Sequence, residues 1–104
     1  IKGIRCHSFS QLEFDNYSYF PIFVDDEYTL TRDQLYKKLK DNGINGRRYF
    51  YPLITDFPIF KNKSIKQEFN LPIAKETSDR VICLPIYSEM ELKTVEKVLD
   101  LIKH

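Results

Sequence analysis

Two of the three helix-start signatures in this 104-residue sequence predict one helix in its middle and one at its end, and the length leaves room for one small domain. In the first, Thr31-Arg32-Asp33-Gln34, the threonine and the glutamine have capping-box spacing, so a helix should follow and end at Gly43. The second, Ser88-Glu89-Met90-Glu91, predicts a closing helix. The apolar stripe of that helix is expected at Leu92, Val95, Val98, Leu99 and Ile102.

Three runs of aromatic and β-branched residues, at 17–25, 47–51 and 81–84, predict strands. Pro21 has no N–H to donate to a ladder, so the first run should lie at a sheet edge or bend there. In the second run, strand alternation would put Arg47, Tyr49 and Tyr51 on one face. The third run is apolar throughout and is expected to be buried on both faces.

Helices beside few strands favour a two-layer α+β sandwich, in which helices cover a small, mostly antiparallel sheet of about three strands. Residues 17–104 should form this domain, and residues 1–16, which lack clean periodicity, are expected to be a linker or an N-terminal element whose partner lies elsewhere. Between the second and third strands, residues 53–63 predict a long loop and Ser64–Gln67 a helix start. Residues 71–78 predict a short helix with Pro72 in its first turn.

Charge and composition exclude several classes of protein. Lys and Arg number 16 against 15 Asp and Glu, so a net charge of +1 gives no global attraction to nucleic acid or anionic membranes. The middle third, from Thr31 to Lys66, is locally basic. No apolar run approaches the roughly 20 residues of a membrane helix, and no secretion signal opens the chain. With Cys6 and Cys83 interpreted as free thiols, these features predict a cytoplasmic protein without a membrane partner.

The residue types needed for catalysis or metal binding do not cluster. His7 and His104 are the only histidines, and neither cysteine has the spacing of a zinc site. Three glycines cannot build a glycine-rich phosphate loop, and the acidic turn Asp25-Asp26-Glu27 lacks the spacing of a calcium loop. We therefore expect no catalytic and no metal-ligating residue in this chain.

The segment from Gly43 to Leu53 carries the strongest chemical signal. It places Arg47, Arg48, Tyr49 and Tyr51 just before Pro52. Guanidinium groups match phosphate oxygens, and phenols offer hydroxyls and flat stacking surfaces. These four residues are the candidate substrate-binding residues, for a phosphorylated, sugar-like or nucleotide-like ligand. Ordinary core and rim positions would also accommodate the same residue types.

Together with Arg80-Val81-Ile82-Cys83-Leu84-Pro85-Ile86-Tyr87-Ser88 and the closing helix, this segment resembles the C-terminal domain of the DegT/DnrJ/EryC1/StrS family of sugar-nucleotide aminotransferases. The resemblance spans about Tyr17 to Ile102. It implies the small domain of a fold-type I enzyme that uses pyridoxal phosphate to turn a nucleotide-linked keto sugar into an amino sugar. The cofactor lysine of that family belongs to an N-terminal domain that this chain lacks, so no cofactor-binding residue is expected here. A separated piece of a longer chain would also explain the start at Ile1 without a methionine.

The resemblance also implies partners and roles for particular residues. The small domain would help to close the active site of a homodimer around a nucleotide-diphosphate sugar. Arg47 or Arg48 would contact the diphosphate, and Tyr49 or Tyr51 the sugar or a phosphate. Many relatives carry a histidine directly after the Pro-Leu pair, where this chain has Ile54.

Two other classes of function remain open from the residues alone. A stand-alone α+β module could stack single-stranded nucleic acid on Tyr49, Phe50 and Tyr51 beside the basic residues. The near-zero net charge and the lack of a ribonucleoprotein signature weigh against this reading. A regulatory or oligomerisation domain without a ligand of its own is the other alternative.

Overall fold

The computed structural model describes residues 1–6, 16–61 and 70–104, which form a three-stranded antiparallel sheet with helices packed against it. The strands are β1 (Ile4–Cys6), β2 (Phe20–Val24) and β3 (Val81–Leu84). The helices are α1 (Arg32–Asp41), α2 (Pro58–Lys61), α3 (Pro72–Arg80) and α4 (Leu92–Lys103), and a 3-10 turn covers Ile54–Asp56. The predicted α+β class is confirmed.

Helix α1 has the boundaries that its sequence predicts. The Gln34 backbone N–H donates to Thr31 Oγ1 at 3.3 Å, and the Thr31 N–H donates to Gln34 Oε1 at 2.8 Å, which completes the capping box. After the helix, Gly43 has φ +81°, a left-handed conformation that glycine adopts without steric cost. Ile44 then turns back into the core, where it is buried.

One core lies between the sheet and the helices α1 and α4. Its buried side chains are Ile22, Val24 and Ile82 from the sheet, Leu35 and Leu39 from α1, Ile44, and Val98 and Ile102 from α4. The Tyr28 hydroxyl also holds the last helix, since it donates to the Ile102 carbonyl at 2.6 Å. Burial of these apolar side chains contributes the largest favourable part of the folding free energy of the domain.

Helix α4 begins later than its sequence predicts, at Leu92 instead of just after Ser88. Glu91 is the N-cap residue and makes no side-chain capping bond, so the prediction of a capping box at Ser88 is wrong. The stripe is also narrower than predicted: Val98 and Ile102 are buried, whereas Leu92, Val95 and Leu99 are exposed.

Strand β2 is the central strand of the described sheet, although Pro21 favoured an edge. Pro21 lies opposite Cys83, whose N–H and C=O both bond to Arg47 on the far side of β3. Pro21 therefore belongs to a non-hydrogen-bonded pair with β3, and its nitrogen faces the β1 side of the sheet. The described pairing of β1 with β2 ends at Cys6, which lies opposite Ile22, so it does not reach the neighbouring Pro21. A proline can occupy this central strand because no described backbone group needs its missing donor.

Two other segments differ from their predictions. Residues 4–6 lie in the stretch expected to be a linker or an element with a distant partner, and they form a strand that pairs with β2, with Ile4 opposite Val24 and Cys6 opposite Ile22. Pairing with β2, not a pattern of their own, makes them a strand. The long loop predicted at 53–63 contains a 3-10 turn and α2, in which Pro58 takes the first helical position. The helix start predicted at Ser64–Gln67 lies outside the described residues.

Two further predictions are confirmed. Helix α3 has Pro72 in its first turn and leads directly into β3. Strand β3 is buried on both faces at Val81, Ile82 and Cys83. Among the helices formed by the described residues, none is both long and apolar enough to cross a membrane.

Candidate ligand-binding site

The segment that carries Arg47 and Tyr49 meets the side of β3 that faces away from β2. The Arg47 N–H donates to the Cys83 carbonyl at 2.8 Å, and the Cys83 N–H donates to the Arg47 carbonyl at 2.7 Å. A Cβ at Gly46 would lie 3.1 Å from the Ile82 side chain, so glycine allows this close approach. Beyond Arg47 the chain turns, and the Tyr51 N–H donates to the Arg48 carbonyl at 3.0 Å. The strand predicted at 47–51 is therefore wrong, apart from a single bridge at Arg47.

A cleft of about 340 Å³ opens where this segment meets the ends of β2 and β3. Phe20 lies opposite Leu84 in the sheet, so the residues before β2 and after β3 come together at one end. The cleft is lined by Ser18, Tyr19, Asn45, Arg47, Tyr49, Cys83, Leu84, Pro85, Ile86 and Tyr87. Three phenols, one guanidinium and one amide thus surround a space of small-molecule size.

Arg47 and Tyr49 form the polar centre of the cleft. The Arg47 Nη1 donates to the Tyr49 hydroxyl at 2.5 Å, and this hydrogen bond raises the pKa of the Arg47 guanidinium above its ordinary value. The ring of Tyr19 meets that of Tyr49 edge to face, with centroids 5.4 Å apart. Tyr49 is thereby held between a cation and a second aromatic ring. The pair presents a fixed positive charge and a phenol side by side.

Arg48 and Tyr51 lie away from the cleft. The Arg48 Nη1 donates to Asp33 Oδ1 at 2.8 Å, and its guanidinium carbon lies 4.5 Å from the centre of the Tyr36 ring. Tyr51 contacts the guanidinium group of Arg32, 4.4 Å from its ring centre. The strand alternation that grouped Tyr51 with Arg47 and Tyr49 fails because the chain turns between Arg48 and Tyr51. Of the four candidate residues, the fold brings Arg47 and Tyr49 together and directs the other two toward α1.

Sequence reasoning missed the other aromatic walls, Tyr19 and Tyr87. Both flank prolines at the ends of apolar strands, Tyr19 before Pro21 and Tyr87 after Pro85. An antiparallel register between the two strands would have placed both at one end of the sheet, but the sequence does not specify that register. The place of Tyr19 and Tyr87 in the cleft therefore depends on the pairing of two strands that are distant in sequence, and no local motif predicts it.

The cleft fits an anionic or hydroxylated ligand better than a covalently held cofactor. Among the residues that the structure describes, the lining contains no lysine, the residue that pyridoxal phosphate needs for a Schiff base. The residues described here also contain no group of three or more His, Cys, Asp or Glu side chains that could hold a metal ion. Arg47, the phenols and the Asn45 amide instead offer hydrogen bonds to phosphate or sugar oxygens.

Cys83 lines the cleft and is buried, and its thiol should react slowly while the protein is folded. Burial raises the pKa of Cys83, and a hydrogen bond from the Tyr49 backbone opposes this effect only in part. The thiol is therefore protonated at neutral pH, whereas Cys6 is exposed. With an aromatic disulfide reagent at pH 7.5, Cys6 should react first and Cys83 only after unfolding. A Cys6→Ser variant should show the slow reaction alone, and rapid reaction of that variant in the native state would contradict the prediction.

Nearly the whole chain is similar in sequence to known proteins. A model of the DegT/DnrJ/EryC1/StrS aminotransferase family matches residues 2–103. The chain is 46% identical to dTDP-4-amino-4,6-dideoxy-D-glucose transaminase of Escherichia coli over 87 residues, 84% of this chain and 24% of that protein. It is 36% identical to the transaminase of the same name from Shigella dysenteriae over 103 residues, 99% of this chain and 28% of that protein.

A solved structure extends the likeness to the fold. The crystal structure of DesI in the presence of its TDP-sugar product matches with a TM-score of 0.85 and 22% identity, over 98% of this chain and 26% of that chain. The chain spans about a quarter of the length of the curated relatives it matches. The match of the family model to nearly all of its residues shows that this chain belongs to the DegT/DnrJ/EryC1/StrS aminotransferase family.

Proposed function

We propose that this chain is the C-terminal domain of an aminotransferase that converts a nucleotide-linked keto sugar into an amino sugar. The observation that carries the proposal is the Arg47–Tyr49 pair in a cleft of small-molecule size, within a chain of this family. Both relatives described above are named as transaminases of a dTDP-linked sugar. Pyridoxal phosphate would be bound by the rest of the protein, since the described lining of the cleft contains no lysine.

Within this proposal, Arg47 contacts the diphosphate and Tyr49 donates its hydroxyl to a phosphate or sugar oxygen. A guanidinium group binds two phosphate oxygens at once, and its charge remains at every physiological pH. The rings of Tyr19 and Tyr87 offer flat apolar walls to the sugar or the base. Arg48 and Tyr51 contact α1, and we propose no direct ligand contact for them.

The parent protein is proposed to be a homodimer in which this domain closes the active site. The relatives extend far beyond the matched region, which leaves room for a cofactor domain. Partners of other classes have weaker support. Membership of an aminotransferase family argues against a stand-alone nucleic-acid module, and the cleft argues against a domain without a ligand.

The proposal is tested by producing the complete reading frame that contains these residues. The purified protein should carry bound pyridoxal phosphate with visible absorbance, and borohydride should fix it covalently to a lysine upstream of Ile1. The 104-residue chain, treated identically, serves as the control and should retain no cofactor. A reading frame that encodes only these residues, or a full-length protein without bound cofactor, would overturn the proposal.

A further inference from the structure

Four side chains outside the cleft form a continuous arginine–tyrosine stack: Tyr36, Arg48, Tyr51 and Arg32. The guanidinium carbon of Arg48 lies 4.5 Å from the centre of the Tyr36 ring and 5.3 Å from that of Tyr51. On the other side of the stack, the guanidinium carbon of Arg32 lies 4.4 Å from the Tyr51 ring centre. Two cations and two rings thus alternate from the surface of α1 toward the interior.

The inner end of the stack is fixed to the fold. Arg32 is only 6% exposed, and its Nη1 donates to the Ser78 carbonyl at 2.8 Å, near the end of α3. A buried charge must be held by partners because its desolvation is costly. Arg32 therefore joins α1, α3 and Tyr51 at a position that cannot shift without exposing or unpairing the guanidinium group.

Asp33 links the inner and outer cations of the stack. Its Oδ1 accepts from Arg48 Nη1 at 2.8 Å and lies 2.7 Å from Arg32 Nε, an ion-pair contact that does not have hydrogen-bond geometry. One carboxylate on the first turn of α1 thus holds a residue of the segment next to Arg47. The same contact occupies Arg48 Nη1, and the two rings pack against its guanidinium group.

We propose that Asp33 is a positioning residue for ligand binding: it holds Arg48 in the stack, and the held backbone directs Arg47 into the cleft. The inference rests on the proposed function. Arg47 and Arg48 are consecutive, so fixing one side chain against α1 restricts the direction of the other. A small displacement of a charged contact weakens binding strongly, and the stack limits how far Arg47 can move. Arg48 thereby acts on the ligand through the backbone and not by contact.

The test measures the dissociation constant of dTDP for the full-length protein by calorimetry. Asp33→Asn and Arg48→Ala should each weaken binding by about 5-fold or more, and the double variant should be no weaker than the worse single variant, because both changes release the same clamp. Asp41→Asn is the matched control, since Asp41 lies on the same helix and pairs with the exposed Lys37. Its dissociation constant should equal that of the wild type. Arg48→Ala and Asp41→Asn should melt within about 2 °C of the wild type, because the ion pairs they remove are partly exposed. The variants with Asp33→Asn should melt lower, because this change also removes the ion-pair partner of the buried Arg32 Nε. Circular dichroism at the temperature of the titration checks that they are folded when binding is measured.

A direct contact of Arg48 with the ligand predicts the opposite pattern. Asp33→Asn would then release a cation for the phosphate and leave binding unchanged or tighter. Arg48→Lys gives a second, independent reading. A lysine still serves a phosphate as a point charge but cannot lie flat between two rings while donating to Asp33, so the stack predicts weak binding. Tight binding by Arg48→Lys, unchanged binding by Asp33→Asn or additive losses in the double variant would overturn the inference. A wild type that binds no dTDP, or binds it as well after Arg47→Ala, would instead show that the proposed ligand site has failed.

Discussion

Alanine at Arg47 is expected to weaken the binding of dTDP to the full-length protein by about 10- to 100-fold, because hydrogen bonds to a charged group contribute about 1.5–3 kcal/mol. The guanidinium group lies in the cleft and donates from Nη1 to the Tyr49 hydroxyl, so a ligand phosphate can reach its other N–H groups. The bound pyridoxal phosphate should remain, since Arg47 is proposed to contact the substrate alone. Calorimetry with dTDP and the visible absorbance of the cofactor measure the two effects separately.

A matched control for this variant is Arg5→Ala. Arg5 is also an exposed arginine, whose side chain donates to Asp25, but it lies on β1 away from the cleft. It should leave the dissociation constant of dTDP unchanged. Equal affinities for the two variants would show that Arg47 is only surface charge, and joint loss of dTDP binding and cofactor would point to a folding defect.

Alanine at Ile82 should lower the free energy of unfolding of this domain by about 2–5 kcal/mol. The Ile82 side chain has 0% exposure. On β3 it lies directly opposite Ile22 of the central strand β2. Removing three carbons there leaves a cavity between the sheet and the helices that the close-packed neighbours fill only in part. The loss is a large share of the roughly 5–15 kcal/mol that stabilises a typical domain.

Urea unfolding of the 104-residue chain, followed by far-ultraviolet circular dichroism, measures this loss. Ile73→Ala provides the control: it removes the same atoms from α3, where the side chain is 79% exposed. That change should alter the unfolding free energy by less than about 0.5 kcal/mol. Similar midpoints for the two variants would mean that β3 is not the centre of the core.

Elements fixed by local chemistry could be predicted from the sequence. The first helix is an example, because the Thr31–Gln34 capping bonds and the left-handed Gly43 depend only on neighbouring residues. Strand β1 could not be predicted, because its three residues are a strand only through pairing with β2. The opposite error occurred at 47–51, where aromatic residues favour a strand but the chain turns after one bridge to Cys83. Strand propensity is decided by the partner more than by the residue.

The candidate site shows the same division. Residue chemistry alone singled out four residues, Arg47, Arg48, Tyr49 and Tyr51, and the fold brings Arg47 and Tyr49 into contact. It could not separate Arg47 from Arg48, since that separation depends on Asp33 and Tyr36, which precede Arg48 by more than ten residues. Tyr87 entered the sequence analysis only as part of the resemblance, because its place in the cleft depends on the register of two distant strands.

The proline in the central strand also has a consequence for assembly of the sheet. The rung that would follow Cys6 and Ile22 needs an N–H from position 21, and Pro21 has none. If β1 slid along β2 toward Phe20, one of its carbonyls would face a ring nitrogen that cannot donate. A shift by two residues would move Arg5, which lies opposite Phe23 in the native alignment, to a place opposite Pro21, where its carbonyl finds no donor. Pro21 therefore disfavours this shifted alignment of residues 4–6, whose side chains carry little pattern of their own.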